Sequence, residues 1–281
     1  MKFGKLFRYD LRSGFSGSLF RLLMPALAAL VSCAEFRLRL YMEYPKIRGT
    51  FLDYLIYLSG GMKKYIPVMA LTEPESFIFP ARWMVLHLLI LYGALYYPVR
   101  DLANMGASAL PRSGSRGAWW LSKCLWNLCY VVTAYAMAVG VVLLFCLAAG
   151  AEMNLSMTSE LVNTVLDANS PDIGFPVELG YAALFFPLLF AVTAGQVQMT
   201  LSLFVKPVVS FGIMTGFLLC GAYLDVPVFW SSWSMAVRSI WVIYDGWYPG
   251  TAGAVMTGCA AAAMTIGFIR FRRYSIMGGE E

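Results

Sequence analysis

The side chains with chemistry to offer are few, and most sit where water does not reach. The chain has one histidine, His87, inside the apolar run ARWMVLHLLILYGALYYP, and Asn127, Gln196 and Gln198 lie inside other apolar runs. Polar groups in hydrocarbon must find partners or line a pathway. These four are therefore candidates for hydrogen bonds between helices or for a substrate or proton path. Gln196 and Gln198 are two residues apart and cannot share one helical face. Five of the six cysteines (Cys124, Cys129, Cys146, Cys220, Cys259) fall in apolar runs and Cys33 ends one. They read as small packing residues, with no pair in outside loops to form a disulfide. One histidine without an acid–His–Cys cluster gives no metal site. No G-x-x-x-x-G-K-[ST] phosphate loop is present, since MGASALPRSGS lacks the closing Lys-Ser/Thr, and there is no H-E-x-x-H, nucleophile elbow or paired carboxylate within an apolar run. No catalytic, cofactor-binding or metal-binding residue is expected. None of the sixteen acids lies clearly mid-run, which argues against a proton-driven antiporter.

Two basic constellations remain. In MKFGKLFRYDLRSGF, Phe3, Phe7, Leu11 and Phe15 recur every four residues with Leu6 beside them, and Lys5, Arg8 and Arg12 occupy the opposite arc. That is the pattern of a helix lying in a membrane interface, over residues 1–17. Asp10 falls on the apolar arc, and Gly14 and Gly17 allow the chain to turn into the bilayer. The second is PRSGSRGAWWLSK, residues 111–123. Pro111, Gly114 and Gly117 set a compact turn, Arg112, Arg116 and Lys123 point cations at an interface, and Trp119 and Trp120 anchor the helix that follows.

The elements that position these residues follow from hydropathy. The 281 residues are 59% hydrophobic and 13% charged, with mean hydropathy +0.67. A soluble domain carries about 25% charged residues. The composition predicts an all-α integral membrane protein in one transmembrane domain. Six membrane-spanning helices are expected at about 19–34, 81–98, 120–148, 178–204, 207–223 and 250–269, with an uncleaved first span. Lys206-Pro207 separates the fourth from the fifth. Residues 35–80 include FLDYLIYLSGGM, too short to span. Residues 151–177 include TSELVNTVLDA, a helix start with Leu161, Val162, Val165 and Leu166 on one stripe. Residues 224–249 carry Trp230, Trp233, Trp241 and Trp247, expected at headgroup level. These three segments are external helical insertions if the amino terminus is inside. Thirteen of the 21 lysines and arginines then lie inside against eight outside, so both termini are cytoplasmic. Gly212-x-x-x-Gly216 permits close helix approach, within the chain in preference to a dimer seam.

This layout, the amino-terminal MKFGKLFRYDLRSGF, and LPRSGSRGAWWLSKCLW leading into the third span resemble the integral-membrane permease subunit of ABC-2-type ABC transporters. Residues 35–80 depart from the resemblance in being longer than the short loop of simpler relatives. The resemblance implies a multi-pass permease of the cell membrane, exporting a hydrophobic or amphipathic substrate such as a peptide, lipid-linked molecule or drug. Two soluble P-loop ATPase subunits would drive it, alongside a second copy or a sister permease. ATP and Mg would bind only in the ATPase; no nucleic acid is involved, and the chain is not an enzyme by itself. The interface helix (Lys5, Arg8, Arg12) and the loop 99–119 (Arg112, Ser113, Arg116, Trp119, Trp120) would couple to the ATPase. The alternatives are a membrane sensor or immunity protein that binds an antimicrobial peptide, and a polytopic lipid-modifying enzyme, against which the lone histidine argues.

Overall fold

A computed structural model describes residues 3–66, 78–101, 116–162, 175–224 and 226–272. Among these the architecture is helical, with isolated bridges and no named strand. Helix α1 runs Phe3–Ser16, α2 Leu19–Glu43, α3 Phe51–Ser59, α4 Ala81–Leu95, α5 Tyr97–Asp101, α6 Arg116–Ala149, α7 Val177–Leu201, α8 Pro207–Tyr223 and α9 Pro249–Arg272. Four of them (α2, α6, α7 and α9, of 25, 34, 25 and 24 residues) are long and apolar enough to cross a membrane. The other two expected spans are shorter: α8 has 17 residues and α4 has 15. A bend at Tyr96 separates α4 from α5, where Pro98 lacks the N–H that a continuous helix would use.

Helix α2 outruns its expected end at residue 34 by a further nine residues. Nothing in 35–43 breaks a helix, Arg39 and Glu43 pair at 3.0 Å one turn apart, and Pro45 forces its predecessor Tyr44 out of helical geometry (φ −137°). Pro207 sits at the start of α8, where its missing N–H leaves no bond unmade. The break after α7 is accordingly five residues wide, 202–206.

The short apolar stretch becomes α3, and all nine of its residues are buried. A reciprocal cap starts it: the Asp53 N–H donates to Thr50 Oγ1 (3.2 Å), and the Thr50 N–H donates to Asp53 Oδ2 (2.8 Å). It inserts between α2, α4, α6 and α7 at one end of the bundle. The segment 150–162 clasps it. Phe51 N–H donates to Glu152 O, Thr50 Oγ1 to Ser156 O, and Thr158 donates to Asp53 through both N–H and hydroxyl. Thr158 therefore serves α3 and makes no side-chain cap of its own turn, Ser159–Leu161. Leu161 and Val162 are buried as the stripe requires, whereas Val165 and Leu166 lie outside the described residues.

The tryptophans of 224–249 also turn inward. Trp230 packs on Phe217 and Phe190 (ring centroids 4.8 and 5.4 Å), Trp247 on Phe186 (4.5 Å), and both are buried. The cause is Arg238. Its buried guanidinium donates to Met62 O, Lys63 O, Gly221 O and Ala222 O, closing the carboxyl end of α8 and drawing the segment onto α3.

Interhelical hydrogen bonds fix the helix directions. Thr193 and Thr200 of α7 donate to Met256 O and Ala263 O of α9, so these two run parallel. Trp120 and Arg116 of α6 donate to Met264 O and Arg272 O, so α6 opposes α9. Gln196 donates to Cys124 O and Tyr135 to Leu184 O, so α6 opposes α7 as well. Phe15, at the end of α1 and four residues ahead of α2, packs tilted against Tyr130, and Tyr54 bridges Phe36 and Phe145, so α2 runs with α6. Gln198 and the His87 contact align α4 with α7. Tyr92 packs on Phe211 and Phe79 on Tyr223, so α8 opposes α4; taken in chain order α2, α4, α6, α7, α8 and α9 therefore alternate in direction, an up-down bundle.

Candidate functional site

One end of this bundle gathers α1, α5, the start of α6, the turn 202–206 and the close of α9. Helix α1 presents Leu6, Asp10 and Gly14 to α6, one turn apart each, and leaves Lys5, Arg8 and Arg12 exposed. Gly14 is packed rather than turning the chain: a Cβ there would lie 2.1 Å from the Trp126 indole nitrogen. The turn falls at Gly17 and Ser18.

Lys123, expected to point at an interface, is wholly buried. Its ammonium donates to Asp10 Oδ1 at 2.5 Å and to Asp101 Oδ2 at 2.6 Å. It also lies over the rings of Tyr97 (4.6 Å) and Trp119 (4.9 Å). The Tyr97 hydroxyl donates to Asp10 Oδ1 (3.0 Å) and the Ser122 hydroxyl to Asp10 Oδ2. Asp10, which marred the apolar arc of the amino-terminal helix, is the residue that ties it to α6. A buried ion pair of this kind adds little net stability when formed, yet removing one partner strands a charge and costs about 3–5 kcal/mol. The triad joins α1, α5 and α6 without any link through the chain.

Trp119 and Trp120, expected as interface anchors, are buried in the α6–α9 seam. Trp119 stacks on Phe271 (4.5 Å, 12° between planes), and Trp120 donates its indole N–H to Met264 O at 2.9 Å. Gly267 opens the slot, since a Cβ there would meet Trp120 at 2.0 Å. Arg116 is exposed and donates to Arg272 O. Arg112 and Ser113 lie outside the described residues.

Both acids of this end that are described, Asp10 and Asp101, are consumed inside the triad. The exposed charges left are Lys5, Arg8, Arg12, Arg100, Arg116, Lys206, Arg270 and Arg272, all cationic. Among the described residues this face carries no exposed carboxylate.

Of the four polar residues of the apolar runs, His87, Gln196 and Gln198 meet backbone carbonyls, whereas the buried Asn127 Nδ2 has no hydrogen-bond partner among the described residues. His87 is buried with Nδ1 2.7 Å from Trp83 O and Nε2 3.2 Å from Pro187 O. A neutral imidazole donates to one of these. Gln196 and Gln198 point to different helices, as their spacing requires, donating to Cys124 O and Leu91 O at 2.9 Å. Asn127 packs on Gly195, where a Cβ would lie 3.0 Å from its Nδ2. These contacts hold helices together and assemble no reactive pair. Among the described residues no three His, Cys, Asp or Glu side chains converge to hold a metal ion.

Sequence reasoning passed over Asp10, Asp101 and Lys123 as a group, and Thr193 with Thr200. The threonines carried a signal: two small hydroxyls seven residues apart in an apolar helix, meeting carbonyls seven residues apart in α9. Gly212 and Gly216, expected to pack within the chain, face nothing within 4 Å. Comparisons with protein-family models, with curated proteins and with solved structures returned no match.

Proposed function

We propose that this chain is the membrane-spanning permease subunit of an ATP-driven transporter of the ABC-2 type, crossing the membrane six times with both termini in the cytoplasm. Helices α4 and α5 together cover 81–101, and α8 is an apolar hairpin partner of α7, so strict alternation of direction supports six crossings. The purely cationic end is the cytoplasmic one, because lysine and arginine are retained on that side. Helix α6 is about 51 Å long at 1.5 Å per residue, and a hydrocarbon core needs about 30 Å of it. The surplus falls at its basic start, level with α1, forming a shoulder outside the lipid.

The observation that carries the reading is the buried fastening of α1 and α5 to that shoulder. A soluble ATPase pressing on α1 or on the loop ahead of α6 would move α6 as a rigid lever. Lys5, Arg8, Arg12 and Arg116 are exposed to receive such a partner, while Trp119 and Trp120 pass the displacement to α9 from within. The chain has no phosphate-binding loop, so ATP and Mg belong to the partner. The open glycine face of α8 at Gly212 and Gly216 suits a seam with a second copy or a sister permease. Export of a hydrophobic or amphipathic substrate follows the resemblance. The test is purification from the native membrane: a P-loop ATPase should come down in equal amount, and Arg8→Glu with Arg116→Glu should release it. A chain purified alone, with no ATPase bound under any nucleotide condition, refutes the reading.

A second reading, a membrane sensor or immunity protein that binds a peptide without moving it, has one observation in its favour. At the end opposite the basic face, a cavity of about 200 Å3 opens between Lys64, Trp233, Arg238, Asp245 and Trp247. Saturable peptide binding there without any associated ATPase would favour it.

A further inference from the structure

The triad has two acidic arms and one basic centre, and the arms are not equivalent. Asp10, on α1, is wholly buried and accepts hydrogen bonds from three side chains: Lys123, Tyr97 and Ser122. Asp101, the last residue of α5, has a side chain 6% exposed, and its one described side-chain bond is to Lys123. It stands immediately ahead of the segment 102–115 that leads into α6. We propose that Asp10, Lys123 and Asp101 are the positioning residues of a two-armed joint, in which α1 stays fixed to α6 while α5 is the arm that swings.

The physical reason lies in charge. A single buried ion pair cannot open without abandoning an unpaired charge in the interior, which is strongly unfavourable. Here withdrawal of α5 takes Asp101 and the Tyr97 hydroxyl with it, yet leaves Lys123 still paired with Asp10, a neutral couple that keeps the Ser122 hydroxyl on Asp10. Withdrawal of Asp10 would strip three hydrogen bonds and leave the Tyr97 and Ser122 hydroxyls unsatisfied. The less expensive opening is the one on the α5 side. Formally two carboxylates face one ammonium, so the closed joint holds one surplus negative charge, and release of one arm relieves it. Use of this joint in ATPase coupling rests on the permease reading; the inequality of its arms rests on geometry alone.

The experiment uses the full chain in lipid vesicles, its six cysteines replaced by alanine, with nitroxide pairs at Arg8/Arg270 and at Arg100/Arg270 to report α1 and α5 separately. Asp101→Asn is expected to abolish the narrow Arg100–Arg270 distance peak and preserve the Arg8–Arg270 one. Asp10→Asn is expected to abolish the Arg8–Arg270 peak, and Asp101→Glu to restore the narrow peak that Asp101→Asn loses. The neutral set Lys123→Met, Asp10→Asn, Asp101→Asn should stay folded, with both peaks lost. Two narrow peaks in that neutral set would mean that packing alone positions the arms, and would overturn the proposal. So would α1 loosening together with α5 in Asp101→Asn. These distances need no ATPase. Failure to recover an ATPase sinks the permease reading and leaves the joint standing, whereas equal arms sink the joint and leave the permease reading standing.

Discussion

Replacing Lys123 by methionine removes one positive charge and little volume from a site with no exposure to solvent. Two carboxylates, Asp10 and Asp101, had been held at 2.5 and 2.6 Å by that ammonium. They are left facing each other in the interior. Loss of one partner from a buried pair costs about 3–5 kcal/mol, and like-charge repulsion between the stranded acids takes the expected value to the upper part of that range. Against a total stability of about 5–15 kcal/mol, that is enough to lower the unfolding midpoint of the detergent-solubilised chain markedly. Adding Asp10→Asn and Asp101→Asn to Lys123→Met should then recover part of the loss, because no charge is left stranded although α1 and α5 are no longer tied to α6. The assay is denaturant unfolding followed by tryptophan fluorescence, with Trp119 reporting from beside the triad. The reasoning fails if Lys123→Met unfolds at the parent midpoint, or if the neutral triple variant is less stable than the single one.

Other consequences are as direct. Gly267→Ala should destabilise by about 1–3 kcal/mol through overpacking against Trp120, whereas Gly258→Ala, with nothing within 4 Å of its Cβ, should be neutral in the same unfolding assay. Thr193→Val and Thr200→Val each remove one α7–α9 hydrogen bond, about 0.6 kcal/mol apiece, and their effects should add because they lie two turns apart. Burial outweighs the hydrogen bonds from Thr158 and Thr50 and pushes the Asp53 carboxyl above its ordinary range. With the folded value raised, the contribution of Asp53 is fully present below the ordinary carboxylate pKa and is lost as pH rises through the raised one. Amide exchange over residues 50–58 should therefore quicken, after correction for intrinsic rate, as pH climbs through that window. Asp53→Asn should remove the pH dependence while keeping the acceptor for Thr158; a slope that survives the substitution refutes the assignment.

The amino-acid sequence by itself determined where the apolar helices lie. Some twenty consecutive apolar residues leave the backbone no alternative in hydrocarbon, and Lys206-Pro207 marks the break between the fourth and fifth expected spans. It also determined the basic face of α1 and the clustering of lysine and arginine at one end, since charge and period can be read locally. Tertiary structure alone decided which charges cancel. Lys123 finds Asp10 across 113 residues and Asp101 across 22, and no local pattern distinguishes that lysine from the exposed cations beside it. Trp119 and Trp120 look like interface anchors until Gly267 opens a slot for them on α9. The apolar stretch 51–59 is too short to span, and only the crossing of α2, α4, α6 and α7 makes the space that encloses it. A helix carries its own hydrogen bonds, whereas a lone polar side chain must borrow partners from whatever segment the bundle brings alongside.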